Sequence, residues 1–166
     1  MIFVDTDFAG CLVTRKSTSG GCAMVGRHLV KHWSSTQKVV TLSSGEAELA
    51  GIVKGSAEGL GLKSLAEDLW IYVKVKIFAD ASAAIGICRR SGIGKVRHLA
   101  TGQLWVQEKL RDNEFQLFKI PGTENPADIL TKHVPRDLVD KLIRYIGVHR
   151  QKGRAESVPT LVHHNQ

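Results

Sequence analysis

Apolar and polar positions change their period several times along this chain, and the changes mark out its elements. Ile2-Phe3-Val4 is a short apolar run that gives way to Asp5-Thr6-Asp7, the pattern of a buried strand opening into a loop. Cys22 to Val25 and Leu29 to Trp33 flank Gly26-Arg27 and predict an antiparallel hairpin, so three strands come in succession. From Ser44 to Leu69 the period lengthens to that of a helix, with Leu49, Ile52, Val53, Leu60, Leu65 and Leu69 as its apolar stripe. Gly51, Gly55 and Gly59 recur every fourth residue inside it. Each interior glycine costs about 1 kcal/mol relative to alanine, so their spacing predicts a smooth face for close approach of another element, and Gly59-Leu60-Gly61 is the expected break into two helices.

Val73, Val75 and Ile77 then alternate with Lys74 and Lys76 and end at Asp80, a fourth strand with an acid at its exit. Ala81 to Cys88 predicts a short helix, and Leu99, Gln103, Val106 and Leu110 predict another that ends at Asp112-Asn113. Phe115 to Ile120 alternates as a fifth strand and stops at Pro121-Gly122. Asn125, Pro126, Ala127 and Asp128 suit the N-cap and first three positions of a closing helix, and Leu138 to Ile146 is weakly amphipathic. The tail from Arg150 to Gln166 is polar and aperiodic, with expected mobility. This order predicts an α/β domain, a mixed five-stranded sheet with helices packed on its faces.

At 166 residues the chain has room for one compact domain and a real core. Its 23 lysines and arginines outnumber 16 acids, for a net charge of +7, which favours a polyanionic partner. No apolar run approaches the roughly 20 residues that span a bilayer, and the first residues do not form a signal peptide. An intracellular protein that engages no membrane is expected. Cys11, Cys22 and Cys88 are odd in number and far apart, the pattern of free thiols in a reducing compartment. Only Ile2-Phe3-Val4 stand between Met1 and Asp5, so Met1 reads either as an internal residue of a longer polypeptide or as a displaced start.

Four acids occupy comparable places. Asp5 ends a predicted strand, Glu48 lies in the first turns of a predicted helix, Asp80 ends a strand and Asp128 opens a helix. Each has an ordinary explanation, since acids near a helix N-terminus are favoured electrostatically. Glu46 has such a task, because three residues after Ser43 it completes a capping box. Together, however, the four suggest a converging carboxylate cage.

The residues around these acids resemble a known family. Asp5-Thr6-Asp7-Phe8-Ala9-Gly10 with Thr14-Arg15-Lys16-Ser17-Thr18-Ser19-Gly20 is similar to the first block of the ribonuclease H domain of copia-type LTR-retrotransposon Pol polyproteins. Trp33-Ser34-Ser35, Gln37-Lys38 and Leu42-Ser43-Ser44-Gly45-Glu46-Ala47-Glu48-Leu49 resemble the second block. Phe78-Ala79-Asp80-Ala81-Ser82-Ala83-Ala84-Ile85 resembles the third and Asn125-Pro126-Ala127-Asp128-Ile129-Leu130-Thr131-Lys132 the fourth. The blocks keep the family's order over roughly Asp5 to Pro135. Two departures stand out: Ala81 replaces the usual Asn, and no His lies between Ile120 and Asp128, with His133 following instead.

The resemblance implies a type-1 ribonuclease H-like fold, three antiparallel strands followed by parallel ones. With the chain's own patterning, it sets the expected domain at 1–135, followed by a C-terminal helix at 136–149 and a disordered tail at 150–166. It implies cleavage of the RNA strand of RNA–DNA hybrids during reverse transcription, with Asp5, Glu48, Asp80 and Asp128 as catalytic metal ligands. The cofactor would be Mg²⁺, as two ions, with Mn²⁺ as a substitute. Ser43, Ser44 and Gly45, with Ser17, Thr18 and Ser82 behind them, are the candidates for contacts to 2′-hydroxyls, the group that separates RNA from DNA. Arg15 and Lys16, with Arg89, Arg90 and Lys95, would contact phosphates. An upstream reverse transcriptase domain is the implied neighbour, in a cytoplasmic retroelement particle or the nucleus. The competing reading is a catalytically silent remnant that binds nucleic acid or connects domains. An integrase-type fold is weaker, since it normally uses fewer acids.

Overall fold

The structure is a computed structural model and describes residues 1–92, 101–149 and 153, the side chains of 101–104 excepted. Three consecutive antiparallel strands open it: β1 (Ile2–Asp7), β2 (Thr18–Val25) and β3 (His28–Thr36). Gly26, at φ +59, turns the β2–β3 hairpin as the sequence predicts, and a register shift at Ala23/Met24 bends it. The helix α1 (Ser44–Asp68) follows, then β4 (Val75–Ala79), α2 (Ser82–Arg89), α3 (Thr101–Arg111) and β5 (Phe115–Lys119). Both β4 and β5 run parallel to β1, giving a mixed sheet in the order β3-β2-β1-β4-β5. The chain closes with two short 3-10 turns, Gly122–Glu124 and Pro126–Leu130, and helix α4 (Arg136–Tyr145). Lys95, Arg97, Leu99 and nearly all of the tail lie outside the described residues.

Strand alternation divides the core. Ile2, Val4, Ile77 and Leu117 pack toward α1, α2 and α3, while Phe3, Cys22 and Met24 pack on the opposite face against Ala127 and Ile146. On that second face Phe3, Phe78 and Phe118 stack in a row across β1, β4 and β5, with ring centroids 5.0 and 5.3 Å apart.

The long helix differs from its sequence pattern in two ways. First, it is unbroken through Gly59-Leu60-Gly61. Second, Leu65 and Leu69 are exposed, and the buried face is instead Ala47, Leu49, Gly51, Ile52, Gly55, Ser56 and Gly59. The glycines explain both. A Cβ on Gly51 would come within 2.6 Å of Thr6 Oγ1, on Gly55 within 2.4 Å of Val4 Cγ1, and on Gly59 within 2.8 Å of Val75 Cγ1. The helix thus rests on the sheet through its backbone, and tight packing outweighs the poor helical propensity. Two other boundaries shift. Asp5 lies inside β1 rather than at its end, and the turn at Pro126–Leu130 is a 3-10 helix of 5 residues rather than the start of an α-helix.

Gly55→Ala is therefore expected to destabilise the protein by about 1–3 kcal/mol through overpacking, whereas Gly61→Ala, whose Cβ would meet nothing within 4 Å, should stabilise it by up to about 1 kcal/mol. Urea unfolding of the two variants reads the difference; equal effects would mean that helical propensity governs both positions.

Candidate active site

The β1–β4 pairing stops at Phe3↔Phe78. Asp5 and Asp80 each stand two residues past it, where parallel strands separate and leave a crevice at their carboxyl ends. Glu48, the fifth residue of α1, enters this crevice from above. Asp5, Glu48 and Asp80 each present a carboxylate oxygen, and the three oxygens lie within 4.8 Å of one another. Asp128 approaches from the 3-10 turn that Asn125 caps, where Asn125 Oδ1 accepts from the Ala127 amide at 3.2 Å. The Asn125 amide also donates to the Val4 carbonyl at 2.8 Å, which fixes the turn against β1.

Local bonds set the height of Glu48. Ser43 caps α1 by accepting from the Glu46 amide at 3.3 Å, and the Glu46 carboxylate accepts from the Ser43 hydroxyl and the Leu42 amide, both at 3.1 Å. Glu46 thereby serves the cap, as its spacing predicts, although it reaches the Leu42 amide rather than that of Ser43. One turn on, Gln37 (2.9 Å) and Thr6 (3.3 Å) both donate to the Ala47 carbonyl, clasping the helix just before Glu48.

The electrostatics follow from crowding acids in a half-dry crevice. Burial, then the neighbouring Asp5 and Asp80, push the Glu48 carboxyl up to about 8. Burial and Asp5 likewise raise Asp80, and raise Asp128 to about 6. Asp5 Oδ1 and Glu48 Oε2 are buried without a hydrogen-bond partner. Unpaired, mutually repelling carboxylate oxygens of this kind fit a hard divalent cation, which takes oxygen ligands.

Two residues that the sequence pattern did not single out join the cluster. The Thr131 hydroxyl donates to Asp5 Oδ2 and, at 3.2 Å, to the Asp128 carbonyl. Lys132 Nζ lies 3.1 Å from Asp128 and 3.5 Å from Asp5. The spacing of Lys132 four residues after Asp128 carried a signal for this pair; nothing local pointed to Asp5, 126 residues before Thr131.

The other candidates divide. Ser44 is exposed beside the crevice, with Gly45 facing Ala83 at the start of α2, and Ser82 is exposed and accepts from Lys119 at 2.6 Å. The Ser43 hydroxyl is occupied by the cap. Ser17 is a correction: it is fully buried, accepting from the Ala9 amide and paired with the Thr41 hydroxyl, so it braces the β1–β2 loop and is closed to a ligand. Thr18 is the first residue of β2, half-buried, and Arg15 and Lys16 lie in the loop before it. Arg89 donates to the Leu117 carbonyl at 3.0 Å, which ties it to β5.

Comparison with known proteins bears on the fold and on the chain's relatives. The chain is 30% identical over 149 residues to the retrovirus-related Pol polyprotein of transposon TNT 1-94 from Nicotiana tabacum, an alignment spanning 89% of the chain and 11% of the polyprotein. It is 27% identical over 149 residues, 88% of its length, to that of transposon RE2 from Arabidopsis thaliana, and covers 10% of it. The chain is a relative of the ribonuclease H domain of copia-type retrotransposon Pol polyproteins. It spans about a tenth of the length of the curated relatives it matches. Among solved structures, the ribonuclease H fold recurs in the N-terminal RNase H domain of a Mycobacterium tuberculosis protein, at TM-score 0.54 and 19% identity over 86% of this chain and 94% of that one. LC11-RNase H1, solved in complex with an RNA/DNA hybrid, matches at TM-score 0.53 and 14% identity, over 86% of this chain and 97% of that one. No family model matches the chain.

The crowded acids of this ribonuclease H-like domain make a pH prediction. The folded chain holds the Glu48 proton more tightly than the unfolded chain, in which the carboxyl keeps its ordinary value of 4.5. The resulting stability is complete below that value and is lost as pH rises through about 8. Metal-free protein should therefore lose stability across this window in urea melts, and Glu48→Gln should make the loss shallower. An unchanged slope would assign the titration to another group.

Proposed function

We propose that the chain is a divalent-metal-dependent endonuclease that cuts the RNA strand of RNA–DNA hybrids. The observation that carries this reading is the convergence of Asp5, Glu48 and Asp80 on one point, with two buried carboxylate oxygens unpaired. Asp5, Glu48, Asp80 and, on the flank, Asp128 are the metal ligands in this reading. They would hold Mg²⁺, with Mn²⁺ as a substitute, which when bound would supply activation of the attacking water and stabilisation of the leaving oxygen.

The chain's own residues do the rest. The clasped start of α1 holds Glu48 at a fixed height, and the Asn125-capped turn holds Asp128. The start of α1, at exposed Ser44 and half-buried Gly45, and Ser82 opposite it border the crevice on the side where an RNA strand would lie. Hydroxyl and backbone groups there suit 2′-hydroxyl recognition. Arg15 and Lys16, within a net charge of +7, add salt-sensitive attraction to the phosphate backbone. Likeness to LC11-RNase H1, which was solved with a hybrid, supports the substrate class. Homology to Pol polyproteins supports a role in reverse transcription beside an upstream reverse transcriptase domain.

Labelled RNA–DNA hybrid incubated with Mg²⁺ should be cut in the RNA strand, and Asp80→Asn should abolish cutting while leaving the fold intact. Cutting by Asp80→Asn at the parent rate, or none by a correctly folded parent, would overturn the reading; the second result would favour a silent remnant. The two glutamates of α1 should separate in the same assay. Glu46→Gln keeps an acceptor for the cap and should retain most activity, whereas Glu48→Gln should lose it. The reverse order would mean that Glu46 is the ligand.

A further inference from the structure

The four acids do not share their space equally. On one side Asp5, Glu48 and Asp80 bring three oxygens within 4.8 Å. On the other, Asp5 Oδ2 and Asp128 Oδ1 already have a cation between them, the Lys132 ammonium at 3.5 and 3.1 Å. Local geometry puts it there. The Lys132 amide donates to the Asp128 carbonyl at 3.2 Å, so one helical turn sets the two side chains on the same face. The Thr131 hydroxyl, shared between Asp5 Oδ2 and the Asp128 carbonyl, pins this turn to β1. Lys132 is nevertheless 41% exposed, against 1% for Asp5. Its flexible four-carbon stem can carry the ammonium out to water without disturbing the core.

We propose that Lys132 is a positioning residue that fills the Asp5–Asp128 side of the site as an internal cation. Asp5, Glu48 and Asp80 would then hold one divalent ion readily, whereas Asp5 and Asp128 would be open to a second only once the Lys132 ammonium moves away. The inference rests on the metal-dependent reading above and adds an order of occupation to it. Before the second ion arrives, Lys132 offsets the repulsion between two buried carboxylates. Once displaced, it leaves both oxygens free and places a mobile positive charge at the rim of the crevice.

Calorimetric titration of the full chain with Mg²⁺ and with Mn²⁺ tests this, using the parent, Lys132→Met and Lys132→Arg, each also melted with and without ion. The parent should bind one ion well and a second weakly. Lys132→Met, which has nothing to displace, should bind the second about tenfold tighter, the equivalent of one hydrogen bond to a charged group. Lys132→Arg should keep the second site weak, because the guanidinium fork retains both carboxylates. Metal-free Lys132→Met should melt below the parent, and added ion should close the gap, which a purely structural lysine would not produce. Lys132→Gln serves the same comparison where the Met variant fails to fold. Second-ion binding that is unchanged or weaker in the neutral variants overturns the proposal. Ion binding as expected by a parent that cuts no hybrid counts against the nuclease reading alone, and a parent that binds no ion overturns both.

Discussion

Everything at the crevice depends on how closely α1 lies on β1. Helix and strand meet through glycine, with the Val4 side chain occupying the space that a Cβ on Gly55 would need. A helix with ordinary side chains on that face would stand further off, and Glu48, three residues before Gly51, would rise out of reach of Asp5. The donors on the Ala47 carbonyl, from Gln37 and Thr6, act at the same place and in the same sense. Close backbone packing and hydrogen bonding thus fix one position of the carboxylate, and the electrostatic cost of putting it there is borne by the fold.

That cost is visible in the protonation behaviour. Glu48 is driven to about 8 and Asp128 to about 6, so the crowded acids bind protons far above their ordinary range. A protein selected only for stability would bury apolar groups at these positions or surround each carboxylate with donors. Here Thr131 and Lys132 attend to Asp5 Oδ2 and Asp128, while Asp5 Oδ1 and Glu48 Oε2 are left without partners. Local rules of burial are broken in one small region and kept around it, the pattern of a functional or strained site.

Much of this was legible in the chain. The hairpin at Gly26, the strand that ends before Asp80, the Ser43 cap and the place of Glu46 in that cap all follow from local patterns, because turns, caps and alternation are local interactions. The close approach of α1 was legible too, from the glycine spacing. What the pattern misjudged lies where tertiary contact overrides local preference. Leucine spacing placed Leu65 and Leu69 in the core, yet small residues carry the buried face and both leucines are exposed. Propensity placed a break at Gly59-Leu60-Gly61, yet the sheet supports the helix straight through it. Ser17 looked like a polar loop residue and is sealed beneath that loop. The contacts of Thr131 and Lys132 with Asp5 join opposite ends of the domain, and no local window contains both.

The bond from Asn125 to Val4 spans 121 residues, and that from Thr131 to Asp5 spans 126. Contacts of such separation form only after long stretches of chain have been gathered in, and the loop-closure entropy must be met before they contribute. β1 must wait for the later segment carrying Asp128 before its own acid is enclosed. Closing the carboxylate cage therefore carries one of the larger loop-closure costs among these contacts. A chain halted before Asn125 would hold Asp5, Glu48 and Asp80 but lack the turn that braces them, so the crevice takes its geometry only when segments more than 120 residues apart meet.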